Sequence, residues 1–201
     1  MITENSELMR SARDGLKGKW GIVIPTYLVF SVITATLSFI PYVGIITNVL
    51  VYGPLYLGLA IFTLSLARNQ EIQVNQLFKG FDKFILSFSA YLQIVLFTLL
   101  WTLLLIVPGI IAAISYSMTF YILVDDDTIS AGGAIKKSKE MMYGYKWKYF
   151  CLSWRFFGWA LLCVLTLGIG VLWLVPYMQV SFAKFYDDIK DYPIAKEEKI
   201  N

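Results

Sequence analysis

The chain has 201 residues and a formal net charge of only +3; 58% of its residues are hydrophobic and 15% are charged. A soluble domain carries charge on about a quarter of its residues, so this composition argues against a soluble or nucleic-acid-binding protein and predicts one membrane domain. The sequence contains no histidine, which removes the commonest general base and metal ligand. We therefore expect no enzymatic activity, no cofactor and no metal site.

The first segment, residues 1–20, is polar and of mixed charge, and we expect no cleavable signal peptide there. Four apolar side chains, Leu8, Met9, Ala12 and Leu16, fall on one face of a helix. This pattern predicts a short amphipathic helix that lies at the cytoplasmic surface of a membrane.

Residues 21–67 contain no Asp, Glu, Lys, Arg or His over 47 positions. Because about 20 helical residues cross a bilayer, this length predicts two crossings with a turn at residues 40–44. Gly53 and Gly58 are expected to let the helices approach closely. Residues 68–83 are predicted to form a cytoplasmic loop with a short helix, whose apolar stripe is Val74, Leu77, Phe78 and Phe81.

Residues 84–124 form a second long apolar segment, with 41 positions that carry no charge. The run is interrupted at Pro108-Gly109, a dipeptide typical of turns. We predict a second hairpin here, with Pro108 and Gly109 at its outer turn.

Residues 125–148 are polar and are predicted to form a third cytoplasmic amphipathic segment, in which Thr128 or Ser130 caps a helix. Its predicted apolar face consists of Ala131, Ala134, Ile135, Ser138, Met141 and Met142.

Residues 149–186 are apolar except for charges near the two ends, and we predict a third hairpin that turns at residues 167–170. The arms are short, so a single kinked helix is the alternative. Residues 187–201 form a charged cytoplasmic tail.

All 17 lysine and arginine residues lie in the segments that this arrangement places on one side, and the three outer turns contain none. Positive residues accumulate on the cytoplasmic side of membrane proteins. The sequence therefore predicts an all-α membrane protein of the cell membrane, with six transmembrane helices in three hairpins, short cytoplasmic interfacial helices and both termini inside. Gly18, Gly80 and Gly144 recur at similar spacing, which suggests a weak internal repeat.

Three uncharged polar residues, Asn48, Gln93 and Gln179, are predicted to lie at membrane depth. Hydrogen bonds between helices are the favoured interpretation. The alternative is a polar path for a substrate.

The third polar segment and the start of the third hairpin carry the candidate contacts to anionic lipid headgroups or to a partner: Lys136, Lys137, Lys139, Lys146, Lys148 and Arg155. Each basic side chain beside an anionic leaflet contributes about 1 kcal/mol. For Arg155, exposure to the headgroups is favoured over pairing with residues 125–127. For those three aspartates, solvation and helix capping are favoured over binding of a divalent ion.

Several motifs resemble a bacterial family of integral membrane proteins catalogued as domain of unknown function 975. They are residues 103–111 around Pro108-Gly109, Tyr116-Ser117-Met118, Lys136-Lys137-Ser138 and Pro176-Tyr177. The resemblance covers most of the chain and implies a six-helix membrane fold in a family common in Gram-positive bacteria. A remoter similarity is to the membrane portions of some glycerophosphodiester phosphodiesterases.

For function, the residues favour a non-catalytic accessory or interaction protein, with membrane lipids and a protein partner or second copy as its contacts. The alternative is a carrier or channel for a lipid-like or small amphiphilic molecule. A cavity that contains Asn48, Gln93 or Gln179 would favour this alternative.

Overall fold

The computed structural model describes residues 3–38, 44–166 and 168–191, except for the side chains of residues 44–48. All regular elements in these ranges are helices, and no strand occurs among them. The prediction of an all-α fold is therefore confirmed for the part of the chain that the structure describes.

Nine α-helices and one 3₁₀ helix make up the described ranges. They are α1 (Asn5–Leu16), α2 (Trp20–Ser38), α3 (Gly44–Ala67), the 3₁₀ helix (Val74–Lys83), α4 (Phe84–Leu104), α5 (Ile106–Tyr116), α6 (Thr119–Asp125), α7 (Ala131–Met141), α8 (Lys146–Leu165) and α9 (Val171–Ile189).

Five helical segments in the described ranges are long and apolar enough to cross a membrane. They are Trp20–Ser38, Val49–Ala67, Val74–Leu104, Ile106–Asp125 and Lys146–Leu165. The length and composition of these helices are consistent with a membrane protein. Helix α9 is not among the five because its last turns carry Lys184, Asp187 and Asp188.

The long helices pack as antiparallel pairs. In the first pair, Tyr27 and Phe30 of α2 contact Phe62 and Tyr56 of α3, respectively. Early residues of α2 therefore face late residues of α3. The predicted turn between them, at residues 40–44, lies largely outside the described residues.

The third pair shows the same order of contacts. Tyr149 near the start of α8 stacks on Phe182 near the end of α9, with 4.8 Å between ring centroids. Phe156, farther along α8, meets Tyr177, which is earlier in α9. The two helices are therefore antiparallel and not one kinked helix. Gly168 adopts a φ of 85° between them, whereas Leu167 lies outside the described residues.

The second pair turns earlier than the sequence suggested. Helix α4 ends at Leu104 and α5 begins at Ile106, so the chain reverses at the extended residue Leu105. Pro108 and Gly109 lie in the first turn of α5, where proline is tolerated because the first N–H groups have no helical partner. Gly109 instead lets α5 approach α4, since a Cβ there would lie 2.2 Å from Thr102 Oγ1.

The second helix of each pair is more buried than the first. In the candidate spans, 61% of residues in α3 and 50% in α5–α6 are buried, against 17% in α2 and in α8. The last turns of α9 are also buried, including Phe185, Tyr186 and Ile189. The bundle therefore has α3, α6 and α9 at its centre and α2, α4 and α8 at its periphery.

The segment before α4 is a 3₁₀ helix rather than the predicted α-helix with an i, i+3, i+4, i+7 stripe. Its period of three residues places Leu77 and Gly80 on the buried face, and leaves Phe78 and Phe81 46% and 37% exposed. A Cβ on Gly58 would lie 1.9 Å from the carbonyl oxygen of Leu77. The prediction that glycine allows close packing is thus confirmed at Gly58.

The amphipathic faces of α1 and α7 are where the sequence predicted them. Leu8, Ala12 and Leu16 of α1 are buried, as are all six predicted face residues of α7. Ser130 is the residue that caps α7, accepting a hydrogen bond from the Gly133 N–H. Both helices therefore pack against the long helices through these faces.

Ser138 on α7 joins the two halves of the fourth span where α5 ends and α6 begins. Its hydroxyl donates to the carbonyl oxygen of Ser115 at 2.8 Å and accepts from the Met118 N–H at 3.2 Å. These are backbone groups that the interrupted helix leaves unpaired. A buried hydroxyl from α7 thus stabilises the break.

Candidate functional site

An elongated cavity of about 590 Å³ lies among α3, α4, α5, α6, α8 and α9. Along α4 it extends from Tyr91 to Thr102, a rise of roughly 16 Å for an α-helix. The wall residues Leu99 and Val95 are 63% and 41% exposed, so the cavity is open along α4. Its volume is within the range of ligand sites in proteins.

Among the described residues, no charged side chain lines this cavity. Its wall combines aliphatic residues with phenols and hydroxyls. The polar members are Tyr56, Tyr91, Tyr116, Tyr121, Tyr149, Thr63, Thr98, Thr102, Ser117 and Gln179. Such a wall suits a molecule that is mainly apolar and carries hydroxyl or carbonyl groups, because an ion would find no opposite charge.

Two polar features are available to a ligand in the cavity. The Thr98 hydroxyl oxygen is buried and has no hydrogen-bond partner among the described residues. The Tyr121 hydroxyl lies 3.4 Å from Gln179 Oε1, which is at the long end of hydrogen-bond distances. The Thr98 hydroxyl can therefore bind a ligand hydroxyl without breaking an internal hydrogen bond.

The predicted polar path is only partly assembled. Gln179 lines the cavity, but Gln93 donates to the Ser89 hydroxyl at 3.0 Å and lies near Gly132 of α7. The reason is helical periodicity: Tyr91, Ile94 and Thr98 face the cavity, and Gln93 is on another face of α4. The side chain of Asn48 lies outside the described residues.

A cluster of charged residues joins the ends of the three central helices. Arg68, directly after α3, binds Asp125 at the end of α6 through two hydrogen bonds of 2.8 and 2.6 Å. The same guanidinium binds Asp187 of α9 at 2.8 Å. Lys190 lies 3.0 Å from Asp187, and the Tyr186 hydroxyl donates to Asp125 at 3.2 Å. We call these five residues the ionic cluster.

In each helix pair, a lysine near the start of the first helix also contacts a polar residue near the end of the second helix, beside this cluster. Lys19, directly before α2, contacts the Asn69 side chain after α3 at 3.4 Å. Lys83 before α4 pairs with Asp127 after α6. Lys148 in α8 pairs with Asp188 in α9 at 2.9 Å. Because Asn69, Asp127 and Asp188 are near Arg68, Asp125 and Asp187 in sequence, all these contacts lie at one end of the bundle, which we call the ionic end.

Arg68 is the functional residue that sequence reasoning missed. Its partners lie 57 and 119 positions away in sequence, so no local pattern shows the pairing. The hydrogen bond to Asp125, followed by that to Asp187, raises the pKa of Arg68 above its ordinary value. One signal in the sequence could have suggested this pairing. Arg68 directly follows the first apolar run, and Asp125 and Asp187 directly follow the second and third predicted hairpins.

The predicted basic contacts divide into two groups. Lys137 lies 3.4 Å from Asp126, and Lys148 binds Asp188, so these two have internal partners. Lys136, Lys139 and Arg155 are exposed and Lys146 is half-buried, and no ion pair joins any of them to another described residue. Arg155 therefore does not pair with residues 125–127, whose carboxylates bind Arg68, Lys137, Lys83 and Lys190.

The aspartates do not assemble a metal site in the part of the chain that the structure describes, where no group of three or more metal-ligating side chains occurs. Their oxygens instead accept hydrogen bonds from cationic side chains.

The sequence matches the family described as "Protein of unknown function (DUF975)" over residues 1–115 and again over residues 102–192. The chain belongs to this family. The resemblance noted from the motifs is thus confirmed, and the two matches together cover nearly the whole DUF975 chain. No curated protein and no solved structure matches it, so no finding supports the remoter similarity to glycerophosphodiester phosphodiesterases. Membership places the chain in a family of unknown function and supplies no ligand or reaction.

Proposed function

We propose that the three helix pairs are hairpins that each cross the membrane twice, with both termini and the ionic end in the cytoplasm. The support is that lysines at or before the starts of α2, α4 and α8 contact residues at or after the ends of α3, α6 and α9. A hairpin returns to its own side only after an even number of crossings. Helix α9 then supplies the sixth crossing, with its charged last turns at the cytoplasmic surface.

The same contacts support an internal repeat better than the glycines do. Gly18 and Gly144 share a positive φ, whereas Gly80 has none and instead packs against the Pro54 carbonyl. The repeated unit that we propose is a lysine at the start of a hairpin paired with a polar residue at its end.

Labelling of single introduced cysteines tests this topology. In a background in which Cys151→Ser and Cys163→Ser remove the native thiols, we expect an impermeant maleimide to label Ser130→Cys and Lys139→Cys only from the cytoplasm, and Ile169→Cys only from outside. Labelling of Lys139→Cys from outside would overturn the topology.

We further propose that this protein binds an uncharged, lipid-like amphiphile in the central cavity, as a carrier or intramembrane receptor. The observation that carries the proposal is a cavity of about 590 Å³ whose wall has five phenols and no charged side chain. A bundle that served only as an accessory scaffold would have no need of such a space, since membrane helices are held together mainly by close packing. The accessory role, with a protein partner or second copy, stays a prediction.

Two chemically matched probes test the ligand class: cetyl alcohol, which is uncharged, and palmitate, which has a carboxylate. We expect the purified protein in mild detergent to retain the alcohol in preference to the acid. The acid would have to place a charge in a wall that offers no cation, at a cost of several kcal/mol. Mass spectrometry of the protein after gel filtration measures the retained probe.

Two alanine-to-tryptophan variants locate the probe. Ala113 lines the cavity from α5, and Ala160 is an exposed residue of α8 outside it. We expect Ala113→Trp to abolish retention of cetyl alcohol and Ala160→Trp to leave it unchanged. Equal retention by both variants, or preference for palmitate, would contradict the proposal.

A further inference from the structure

A second cavity, of about 370 Å³, lies on the opposite side of α9 from the central cavity. Its walls come from α1, α2, α8 and α9. On α9 it is lined by Trp173 and Tyr177, whereas Gln179 and Phe182 line the central cavity. No residue lines both, so the second cavity is a separate site, which we call the α1–α9 cleft.

The cleft combines one cation with an apolar wall. Its charged lining residue is Arg13 of α1. The rest of the wall is largely aromatic and aliphatic, and includes Trp20, Trp159, Leu162 and Trp173. Indole rings are enriched where lipid headgroups meet the hydrocarbon. This combination matches the two parts of a phospholipid, an anionic head and apolar chains.

Two polar groups in the cleft lack ion-pair or hydrogen-bond partners of their own among the described residues. The guanidinium carbon of Arg13 lies 5.8 Å from the centroid of the Tyr177 ring, and no ion pair joins Arg13 to any other described residue. The Tyr177 hydroxyl oxygen is buried and makes no hydrogen bond within the described ranges. A buried hydroxyl without a partner is unfavourable, and an acceptor that reached it would remove this cost.

We propose that the α1–α9 cleft binds one anionic phospholipid of the surrounding membrane. Its phosphate accepts hydrogen bonds from the Arg13 guanidinium and the Tyr177 hydroxyl, and an acyl chain lies against Trp159 and Trp173. Arginine suits this role because its planar N–H groups match the phosphate oxygens. The bound lipid would fix α1 to the third helix pair, since Arg13 lies in α1 and Tyr177 lies in α9.

Native mass spectrometry of the full chain, offered equal amounts of phosphatidylglycerol and phosphatidylcholine, tests this site. We expect the wild-type protein to retain one phosphatidylglycerol in preference to phosphatidylcholine. Arg13→Gln should reduce this preference by about tenfold, because it removes charge-assisted hydrogen bonds. Tyr177→Phe keeps the ring and removes only the hydroxyl, so we expect a smaller reduction in the same direction.

Arg10→Gln is the matched control, since it removes the same charge from the same helix at a residue that does not line the cleft. It should behave as wild type. Equal loss of preference in both arginine variants would mean a diffuse charge effect and would overturn the proposal. A wild-type protein that retains the two lipids equally would overturn it as well.

A cysteine in the cleft gives a readout of position. Cys163 lines the cleft and Cys151 does not, so Cys151→Ser leaves one reporter thiol. Phosphatidylglycerol should slow alkylation of Cys163 by N-ethylmaleimide in this variant, and should not do so when Arg13→Gln is added. Alkylation that is unaffected by phosphatidylglycerol would place the lipid elsewhere.

Discussion

The two ends of the helix pairs are built differently. In the halves of the pairs nearer the ionic end, Phe62, Ile122 and Phe185 are fully buried. At the tips of the pairs, Leu103, Ile106, Val164 and Leu165 are more than 70% exposed. In a bilayer, lipid covers the exposed tips at no hydrophobic cost. The difference teaches that contacts at the ionic end specify the fold, whereas the tips contribute little internal packing.

The largest expected effect is at the closest backbone contact. Gly58→Ala would place a methyl group 1.9 Å from the Leu77 carbonyl oxygen, and both partners are backbone that cannot turn away. We expect a loss of about 3 kcal/mol or more in the free energy of unfolding, measured by thermal or denaturant unfolding in detergent. Gly21→Ala is the control, because nothing lies within 4 Å of a Cβ there. Comparable stability of the two variants would disprove close packing at Gly58.

The ionic cluster should give the next largest effect. Arg68→Gln removes the guanidinium that binds both Asp125 and Asp187 and leaves Lys190 as their shared cation. Both carboxylates are about three-quarters buried. Because some solvent reaches them, we expect a loss of about 2 kcal/mol. Lys17→Gln removes an exposed pair with Asp14 and should change stability too little to measure. If Arg68→Gln were equally silent, the cluster would not join the three pairs.

Ser138→Ala should have an intermediate effect. The change removes two buried hydrogen bonds to the backbone between α5 and α6, and we expect a loss of about 1.5 kcal/mol. Ser153→Ala serves as the control, since the Ser153 hydroxyl only donates within its own helix, to the Tyr149 carbonyl oxygen. Hydrogen exchange of the Met118 amide should accelerate in the first variant alone.

The smallest effect is expected at the tips. Leu103 is 83% exposed, so Leu103→Ala should change the free energy of unfolding by less than about 0.5 kcal/mol. A loss comparable with that of Arg68→Gln would show that the tips also contribute to folding, and would remove the contrast between the two ends.

Periodicity predicted the parts of the fold that depend on local pattern. The six predicted face positions of α7 and its C-cap, five apolar residues and Ser138, are all buried because an amphipathic helix packs through one face. The prediction of an α-helical stripe before α4 was wrong because local periodicity does not include tertiary contacts. Val74, Leu77, Phe78 and Phe81 fit a 3.6-residue period, but close approach at Gly58 and Gly80 holds the backbone in the tighter form.

The candidate site was less predictable because it depends on tertiary contacts. Gln179 could be proposed from its position in an apolar run, but the sequence could not show that Gln93 faces α7 instead. The phenols of the cavity wall come from α3, α4, α5, α6 and α8, and aromatic residues at such spacing are equally typical of interfacial belts. Arg13 and Tyr177 are likewise brought together only by the packing of α1 on α9.

The most direct test of the central claim is an experimental structure of the protein in a lipid nanodisc, determined with cetyl alcohol present. The proposal predicts elongated density in the central cavity, with its polar end within hydrogen-bond distance of Thr98 or Gln179. A cavity closed by the surrounding side chains, with α4 packed against α3 and α9 and no ligand density, would contradict it.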